Sequence, residues 1–320
     1  MPHAYRRVDE VVACALLCLM MSQEAREAVV GSHDIGVNRP MLREHVRSTL
    51  TRLSRTGELP ALPPAATAAL AIARDPDAGV ESLSQVIRSD VGLSARVLRA
   101  ANSAAYARRV PARTLGEAVL TLGLRRTCDL LVAAGARQLY RQVPRYAEEL
   151  WNHALAAALA AEQIARDTAA AEPHMVFLPA LFHDVGRIAF LLADDEAFAV
   201  LHRRADGGAA TRPDGNGERS WYGFDHAEAG AILAEDWGLV HQQVDAIHWH
   251  HQPEQAEQGR TLAAILNVAD AGAYAMGFGS SAVAPSDQPG RNLLGLSPER
   301  AAAAVVAARG TIAVHHDLFV

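Results

Sequence analysis

The sequence has no lysine and few aromatic residues, and the scarcity of aromatic residues bears on the fold class. All 30 basic residues are arginine, which we attribute to coding bias rather than to 30 selected anion-binding positions. Aromatic residues make up only 5% of the chain, and alanine is prominent among the 50% that is hydrophobic. This composition favours closely packed helices over sheets rich in β-branched and aromatic residues. We therefore predict an all-α fold.

Basic stripes and paired cysteines are also missing. The net charge is -6, so non-specific binding to the phosphate backbone of nucleic acids is not expected. The three cysteines contain no CxxC pair and cannot all form disulfides, which fits a reducing cytoplasm. The sequence thus predicts a cytoplasmic protein with no nucleic acid partner.

The N-terminal region has no apolar run long enough to span a membrane. The most apolar N-terminal stretch, Val11–Met21, has 11 residues, about half of the ~20 that a simple membrane-spanning helix needs. A signal peptide is the alternative, because Arg6 and Arg7 precede this stretch, but Asp9 and Glu10 interrupt the junction and no clean cleavage site follows. We favour a buried or partner-facing helix and predict no membrane span.

Prolines and glycines divide the 320 residues into parts. The closely spaced prolines of Leu59–Pro64 forbid helix and mark the entry to a domain. The interval "RADGGAATRPDGNGERSWYG" is rich in turn-forming residues and predicts a surface loop between helices. The predicted parts are an N-terminal helical extension (1–58), an N-terminal helical half-domain (59–148), a second helical half (149–280), and a loop with a C-terminal helix and tail (281–320).

Local patterns predict particular helix ends. Thr114 followed by Glu117 has the spacing of a capping box. Asn102 is expected to end a helix in the left-handed conformation and to tie off its last carbonyls. A C-terminal helix should begin with Ser297 as cap and finish before Gly310.

Histidines and aspartates recur in or at the ends of predicted helices in the second half. Helices can hold ligands rigidly, and neutral imidazole with carboxylate suits a divalent ion such as Fe, Mn, Zn or Co. Such an ion generates hydroxide at neutral pH and polarises a phosphoryl oxygen. Adjacent helical residues diverge by ~100°, so His183 and Asp184 can meet one ion only near a helix end or through a bridging carboxylate. The candidate metal ligands are His153, His183, Asp184, His226, His250, His251 and Asp270.

Each candidate also has a purely structural interpretation. A histidine among alanines, such as His153, can simply be packed, and Gly186 can serve close helix packing. His241 and His248 lie seven residues apart on one helix face and can be solvated, so we leave them out of the site. A second His-Asp pair, His33–Asp34, lies in turn-forming chain with no apolar run to fix it. We interpret that pair as a chance copy.

Taken in order, the motifs resemble a known family. The series W-x-H, "LFHDVG", "HAEAGAIL", "HHQP" and "NVAD" resembles the HD superfamily. Together with upstream "LPALPPAATAAL", "LSQVIRSDVGLSARVLRAANSAAY" and "TLGEAVLTLGLRRTCDLL", it resembles the HDOD family over roughly Leu59 to Ala275. The resemblance implies an all-helical, HD-like bundle with an N-terminal helical half-domain, found in bacterial signalling and regulatory proteins and generally regarded as lacking demonstrated catalysis.

The related HD-GYP phosphodiesterases, which hydrolyse cyclic di-GMP, offer a rival comparison. Their ligand pattern falls on the same seven residues. We assign no catalytic residue from the sequence, and Asp184 and Arg187 are the candidates. However, this chain has Arg187 where those enzymes usually have lysine, and "HHQPEQAEQGRTLAA" contains no Gly-Tyr-Pro loop. A standard cyclic di-GMP phosphodiesterase is therefore not expected.

Two hypotheses follow. The first is a regulatory HDOD protein of bacterial signal transduction, a non-catalytic module with a vestigial or structural metal pocket that binds a protein partner, or else a small ligand or nucleotide. The second is a metal-dependent phosphohydrolase acting on a nucleotide or phosphodiester. In it, His153, His183, Asp184 and Asp270 hold one ion, and a second ion is held by His226, His250 and His251.

Overall fold

A computed structural model describes residues 46–51, 59–103, 106, 110–193, 198, 218–219, 222–279 and 288–319. These residues form thirteen α-helices of known bounds and one short 3-10 turn, with no strand among them, which confirms the predicted all-α class. In chain order the helices are α1 (Pro64–Arg74), α2 (Val80–Arg88), α3 (Val91–Ala101), α4 (Leu115–Leu122), α5 (Leu124–Arg141), α6 (Ala147–Thr168), α7 (Pro173–Phe182), α8 (Gly186–Ala193), α9 (His226–Asp236), α10 (His241–His248), α11 (Arg260–Ala275), α12 (Pro289–Leu293) and α13 (Pro298–Phe319).

Helix α6 lies at the centre of the second half and is packed by α7, α11 and α13. Its alanine-rich sequence lets neighbouring backbones approach on every side, and the continuous run from His153 to Glu162 is buried. A helix that is apolar all round belongs in a core. The polar ring of His153 is therefore carried into the interior by the most enclosed helix of this half.

Two predicted helix starts are confirmed. Thr114 and Glu117 form the complete capping box at the start of α4. The hydroxyl of Ser297 accepts a hydrogen bond from the backbone N–H of Arg300 at 3.3 Å, as a cap of α13 should.

Two other local predictions are wrong in part. Asn102 is not left-handed (φ -97°, ψ 4°); its side chain instead exchanges two hydrogen bonds with the backbone of Ala112, at 2.8 and 2.9 Å. Asn102 still ends α3, because its backbone N–H bonds the carbonyl oxygens of Ala100 and Leu98, and its side chain also fastens the chain ahead of α4. Helix α13 runs through Gly310 to Phe319, because an interior glycine costs a helix only about 1 kcal/mol.

Several predictions fall on residues that the structure does not describe. Both the Val11–Met21 stretch and the His33–Asp34 pair lie outside the described residues. The described helices from Val46 onwards belong to one compact unit, and the four predicted parts of the chain stay a prediction. One described stretch, Pro173–Ala193, is long and apolar enough to cross a membrane, but 89% of its most apolar window is buried in the protein, a property that core helices share.

Candidate metal centre

The fold brings all seven candidate ligands to one place. Five of them lie at helix ends: the His183–Asp184 turn connects α7 to α8, His226 opens α9, and His250–His251 follows α10 after Trp249. The remaining two residues project from within long helices, His153 from α6 and Asp270 from α11. The helix-end position that the adjacent His183 and Asp184 require is therefore present.

Four of the seven side chains form a first group, consisting of His153, His183, Asp184 and Asp270. The Nε2 atoms of His153 and His183 are 3.3 Å apart. Oδ1 of Asp270 lies 3.0 Å from the first of these nitrogens and 3.5 Å from the second. Oδ2 of Asp184 lies 3.6 and 3.5 Å from the same two atoms. Two imidazole nitrogens and two carboxylates thus face a common centre.

The other three side chains form a second group, the three-histidine group of His226, His250 and His251, whose ligand atoms lie within 4.8 Å of one another. Nε2 of His226 is 3.0 Å from Nε2 of His251, and the rings of His226 and His250 have centroids 5.5 Å apart. Asp184 joins the two groups, since its Oδ1 lies 3.2 Å from Nε2 of His226 while Oδ2 faces the first group. A carboxylate in this position can contact ions in both groups.

The Nδ1 atoms of three of these histidines are held by backbone carbonyl oxygens. His153 pairs with the carbonyl of Phe278 at 2.9 Å, and His183 with that of Ala180 at 2.7 Å. Nδ1 of His250 is 2.7 Å from the carbonyl oxygen of Ile247. An acceptor on Nδ1 places the proton there and leaves the lone pair on Nε2, which is the arrangement found around metal-bound histidines.

Glu218 is a member of the site that the sequence prediction missed. It is buried, and its Oε2 lies 2.6 Å from Nδ1 of His226 and accepts the backbone N–H of the same residue at 2.8 Å. The sequence placed Glu218 in a turn-rich surface loop, but it lies in a helical turn with Arg219. An acidic residue eight positions ahead of a candidate ligand is the one signal that could have suggested it.

Arg187 lies against the first group. Its Nη1 is 3.0 Å from Oδ2 of Asp184, and the side chain of Tyr274 hydrogen-bonds to it. The Arg187 side chain is buried, and the opposite charge of Asp184 raises its pKa although burial alone would lower it. The guanidinium therefore stays charged and anchors the bridging carboxylate.

Burial and charge oppose each other in the pKa values of the cluster. Burial would raise the pKa of Asp184, but Arg187 and the neighbouring histidines hold it far below its usual range. Burial would lower the pKa of His183, but the carboxylates of Asp184 and Asp270 raise it to about 9. For His251, burial prevails and lowers the pKa to about 4, so its neutral ring offers a lone pair. The carboxylates thus attract positive charge that a bound cation could supply in place of protons.

The residues present fit a divalent cation. Among the described residues, Nε2 of His250 is buried with no hydrogen-bond partner, and three buried carboxylate oxygens of the cluster make ion-pair contacts but no hydrogen bond of regular geometry: Oδ1 and Oδ2 of Asp184 and Oδ1 of Asp270. Buried polar atoms are rarely left in this state. All four belong to predicted metal ligands and point into the cluster, and the mixture of imidazole and carboxylate suits Fe, Mn, Zn or Co. His241 and His248 lie outside both groups.

Gly186 serves close packing at the edge of the site. A Cβ at this position would lie 2.1 Å from the backbone oxygen of His226 and 2.8 Å from the backbone nitrogen of Gly230. Only a glycine lets the start of α8 approach the start of α9 this closely. The structural interpretation of Gly186 is therefore confirmed, and the packing in turn positions His226.

Asp245 on α10 fastens the chain that follows the paired histidines. Its Oδ2 accepts the backbone N–H groups of Glu257, Gln258 and Gly259 at 2.9, 2.8 and 2.8 Å. We expect Asp245→Ala to lower the free energy of unfolding by about 2 kcal/mol, because buried N–H groups lose their acceptor. Urea unfolding checks this, and Asp245→Asn, which retains an acceptor oxygen, should cost less. Equal losses for the two variants would contradict the assignment.

A family model provides the comparison that decides the family. The model for the HDOD domain matches residues 59–253, more than half of the chain. The chain belongs to the HDOD family. Six of the seven candidate ligands lie within the matched residues, and Asp270 follows them.

Solved structures agree with the HDOD assignment. A Geobacter sulfurreducens HDOD domain protein of unknown function matches with a TM-score of 0.70 at 26% identity, over 87% of this chain and 99% of its own. A Shewanella amazonensis protein, named provisionally as a phosphohydrolase, matches with a TM-score of 0.65 at 24% identity, over 85% and 98%. A Marinobacter aquaeolei protein, named provisionally for signal transduction, matches with a TM-score of 0.65 at 20% identity, over 88% and 66%. At identities below 25%, the last two show a shared fold alone.

A curated relative matches this chain over less than half of the relative's own length. It is an uncharacterized protein of Treponema pallidum, 25% identical over 221 residues. The match takes in 68% of this chain and spans 42% of the relative.

Proposed function

We propose that this HDOD protein is a non-catalytic regulatory module of signal transduction that holds divalent metal in a closed centre between the helices of its second half. The observation that carries the proposal is the closure of the centre. Of the seven candidate ligands only His251 is partly exposed, while the side chains of His153, His183, Asp184, His226 and Asp270 are at most 6% exposed. A centre buried to this extent gives a substrate little access, whereas catalytic metal sites keep a coordination position open for water or substrate.

The chemistry of the donor set supports metal retention. When bound, a divalent cation can act as a Lewis acid on a phosphoryl oxygen and lower the pKa of water. The residues of this chain hold Nε2 lone pairs inward through their Nδ1 partners, and Arg187 anchors Asp184 at 3.0 Å. In the regulatory hypothesis these contacts lock α6, α7, α9 and α11 into one arrangement. A partner protein in the cytoplasm would recognise that arrangement from outside.

One observation favours the phosphohydrolase as a second candidate. Asp184 presents one oxygen to each group, and carboxylate-joined pairs of metal sites recur in phosphatases and nucleases. The partly exposed His251 marks the side from which a phosphoester could reach the second group. In this candidate Arg187 stabilises the negative charge of Asp184 and keeps it ionised.

Metal analysis combined with a turnover screen separates the two candidates. The purified full chain is loaded with Mn, Fe, Zn or Co, dialysed, and assayed for metal and for hydrolysis of nucleotides, cyclic dinucleotides and aryl phosphodiesters. We expect retained metal and no turnover. Turnover that disappears in Asp184→Ala would establish the phosphohydrolase instead. If the chain retains none of the four metals, both metal-dependent hypotheses are excluded.

A further inference from the structure

The two ligand groups differ in the negative charge available to a cation. The first group contains two carboxylates, Asp184 and Asp270, which face its histidines at 3.0 to 3.6 Å. The three-histidine group consists of imidazoles alone and shares only Oδ1 of Asp184, at 3.2 Å from His226. Neutral imidazoles do not offset the charge of a dication, and burying uncompensated charge is costly. A further negative charge near the second group would therefore strengthen cation binding there.

Glu218 supplies a negative charge at the required place. Its Oε2 lies 2.6 Å from Nδ1 of His226, while Nε2 on the other side of the same ring faces His251 at 3.0 Å and Asp184 at 3.2 Å. A carboxylate behind a metal-binding histidine fixes the ring and strengthens the imidazole as a donor.

The other held histidines lack this charge. Nδ1 of His153, His183 and His250 pairs with backbone carbonyl oxygens, which fix the ring but are neutral. Among the described residues, His226 is the candidate ligand whose Nδ1 meets a carboxylate. The carboxylate is thus placed on the group that is short of negative charge.

The neighbouring residue keeps Glu218 in position. Arg219 bonds Oδ2 of Asp225 from Nη2 at 2.7 Å and from Nε at 2.9 Å, and its Nη1 lies 3.3 Å from Glu228. Asp225 and Glu228 form the capping box that opens α9 at His226. The Glu218–Arg219 turn is therefore bound to the start of α9 by both of its side chains.

We propose that Glu218 is the positioning residue of the three-histidine group, holding His226 through Nδ1 and supplying the negative charge that lets this group retain a divalent cation. The inference rests on the proposed function, because it assumes that the centre holds metal. Under this inference, metal binding by the three-histidine group, but not by the first group, depends on a residue that contacts no ion itself.

Cobalt titration of the full chain tests the assignment. The visible absorption of Co2+ reports the ligands of each bound ion, and calorimetry gives the two affinities. We expect Glu218→Ala to weaken the weaker of the two Co2+ sites by about 100-fold and the isosteric Glu218→Gln, which keeps an acceptor oxygen, by about 10-fold. The tighter site should change by less than about twofold, since the ligands of the first group keep their carbonyl partners. Glu172→Gln, at an exposed carboxylate ahead of α7, is the matched control and should leave both sites unchanged.

Three results would overturn the inference. Unchanged Co2+ binding in both Glu218 variants excludes a role for the residue, and equal weakening of the two sites indicates general destabilisation rather than positioning. Thermal unfolding in the presence of a chelator shows whether each variant folds. If Glu218→Ala does not fold, the comparison of Glu218→Gln with the wild type is the test. A wild-type chain that binds no Co2+ overturns the proposed function together with the inference, whereas binding to the wild type with unchanged variants overturns the inference alone.

Discussion

Asp184→Ala should remove metal from both ligand groups at once. Asp184 is the one candidate ligand with an oxygen toward each group, at 3.2 Å from Nε2 of His226 and 3.5 Å from Nε2 of His183. Loss of a residue that merely orients a ligand costs metal affinity about 10- to 100-fold. Loss of a shared ligand should therefore cost more than about 100-fold in both groups. Metal content after dialysis and calorimetric titration measure the effect.

The same substitution should destabilise the fold. It removes the carboxylate that faces the buried guanidinium of Arg187 at 3.0 Å, and breaking a buried ion pair by deleting one partner typically costs about 3–5 kcal/mol. Urea unfolding in a chelator separates this loss from the loss of metal. Asp184→Asn preserves the shape of the side chain and should retain more stability than Asp184→Ala while still losing metal.

A second His-Asp pair, His33–Asp34, provides the control. We expect Asp34→Ala to leave metal content unchanged and to change the free energy of unfolding by less than about 0.5 kcal/mol, because the sequence around His33–Asp34 is turn-forming and has no apolar run to fix the pair. Stoichiometric metal in Asp184→Ala, or its loss in Asp34→Ala, would show that the wrong pair had been selected.

The convergence of the seven residues could be predicted because their order along the chain carries the pattern. Each ligand lies in or at the end of a helix, and the adjacency of His183 and Asp184 already required a helix end or a bridging carboxylate. The structure has both features: α7 ends at Phe182, and Asp184 faces both groups. Helical periodicity and the family resemblance were sufficient to predict that these side chains lie together, and their binding of metal stays a prediction.

The partners of the ligands could not be predicted in the same way. Three Nδ1 atoms pair with backbone carbonyl oxygens, and a carbonyl is present in every residue, so the sequence does not distinguish the one that is used. Glu218 was missed because turn-forming residues dominate the twenty-residue interval around it. Composition over such a window describes the average residue and overlooks one buried carboxylate.

Helix ends were mispredicted where packing outweighs local preference. Gly310 was expected to end α13, but the helix continues to Phe319, and it packs along the central helix α6 with Ala304 and Ala308 buried. The burial of this face outweighs the small cost of one helical glycine. At Asn102, the side chain makes tertiary hydrogen bonds to Ala112 that no local pattern encodes.

Gly186→Ala should be among the most damaging single-methyl changes in the second half. The added Cβ would lie 2.1 Å from the backbone oxygen of His226 and 2.9 Å from Cβ of Ala229, so α8 and α9 must move apart. Overpacking of this kind costs about 3 kcal/mol. Because the displaced backbone belongs to His226, metal binding by the three-histidine group should weaken together with stability. Chemical unfolding and Co2+ titration of the same samples measure both effects.

Gly116→Ala is the matched control for this change. Gly116 also lies in the first turn of a helix, α4, but its Cβ would meet nothing nearer than Cγ1 of Val80 at 3.9 Å. Without a clash, alanine lowers the entropy of the unfolded chain and should raise stability by about 0.5–1 kcal/mol. The same added methyl group is therefore expected to lower stability at Gly186 and to raise it at Gly116. If Gly186→Ala also proved neutral or stabilising, then the close approach of α8 to His226 would not be what positions the second ligand group.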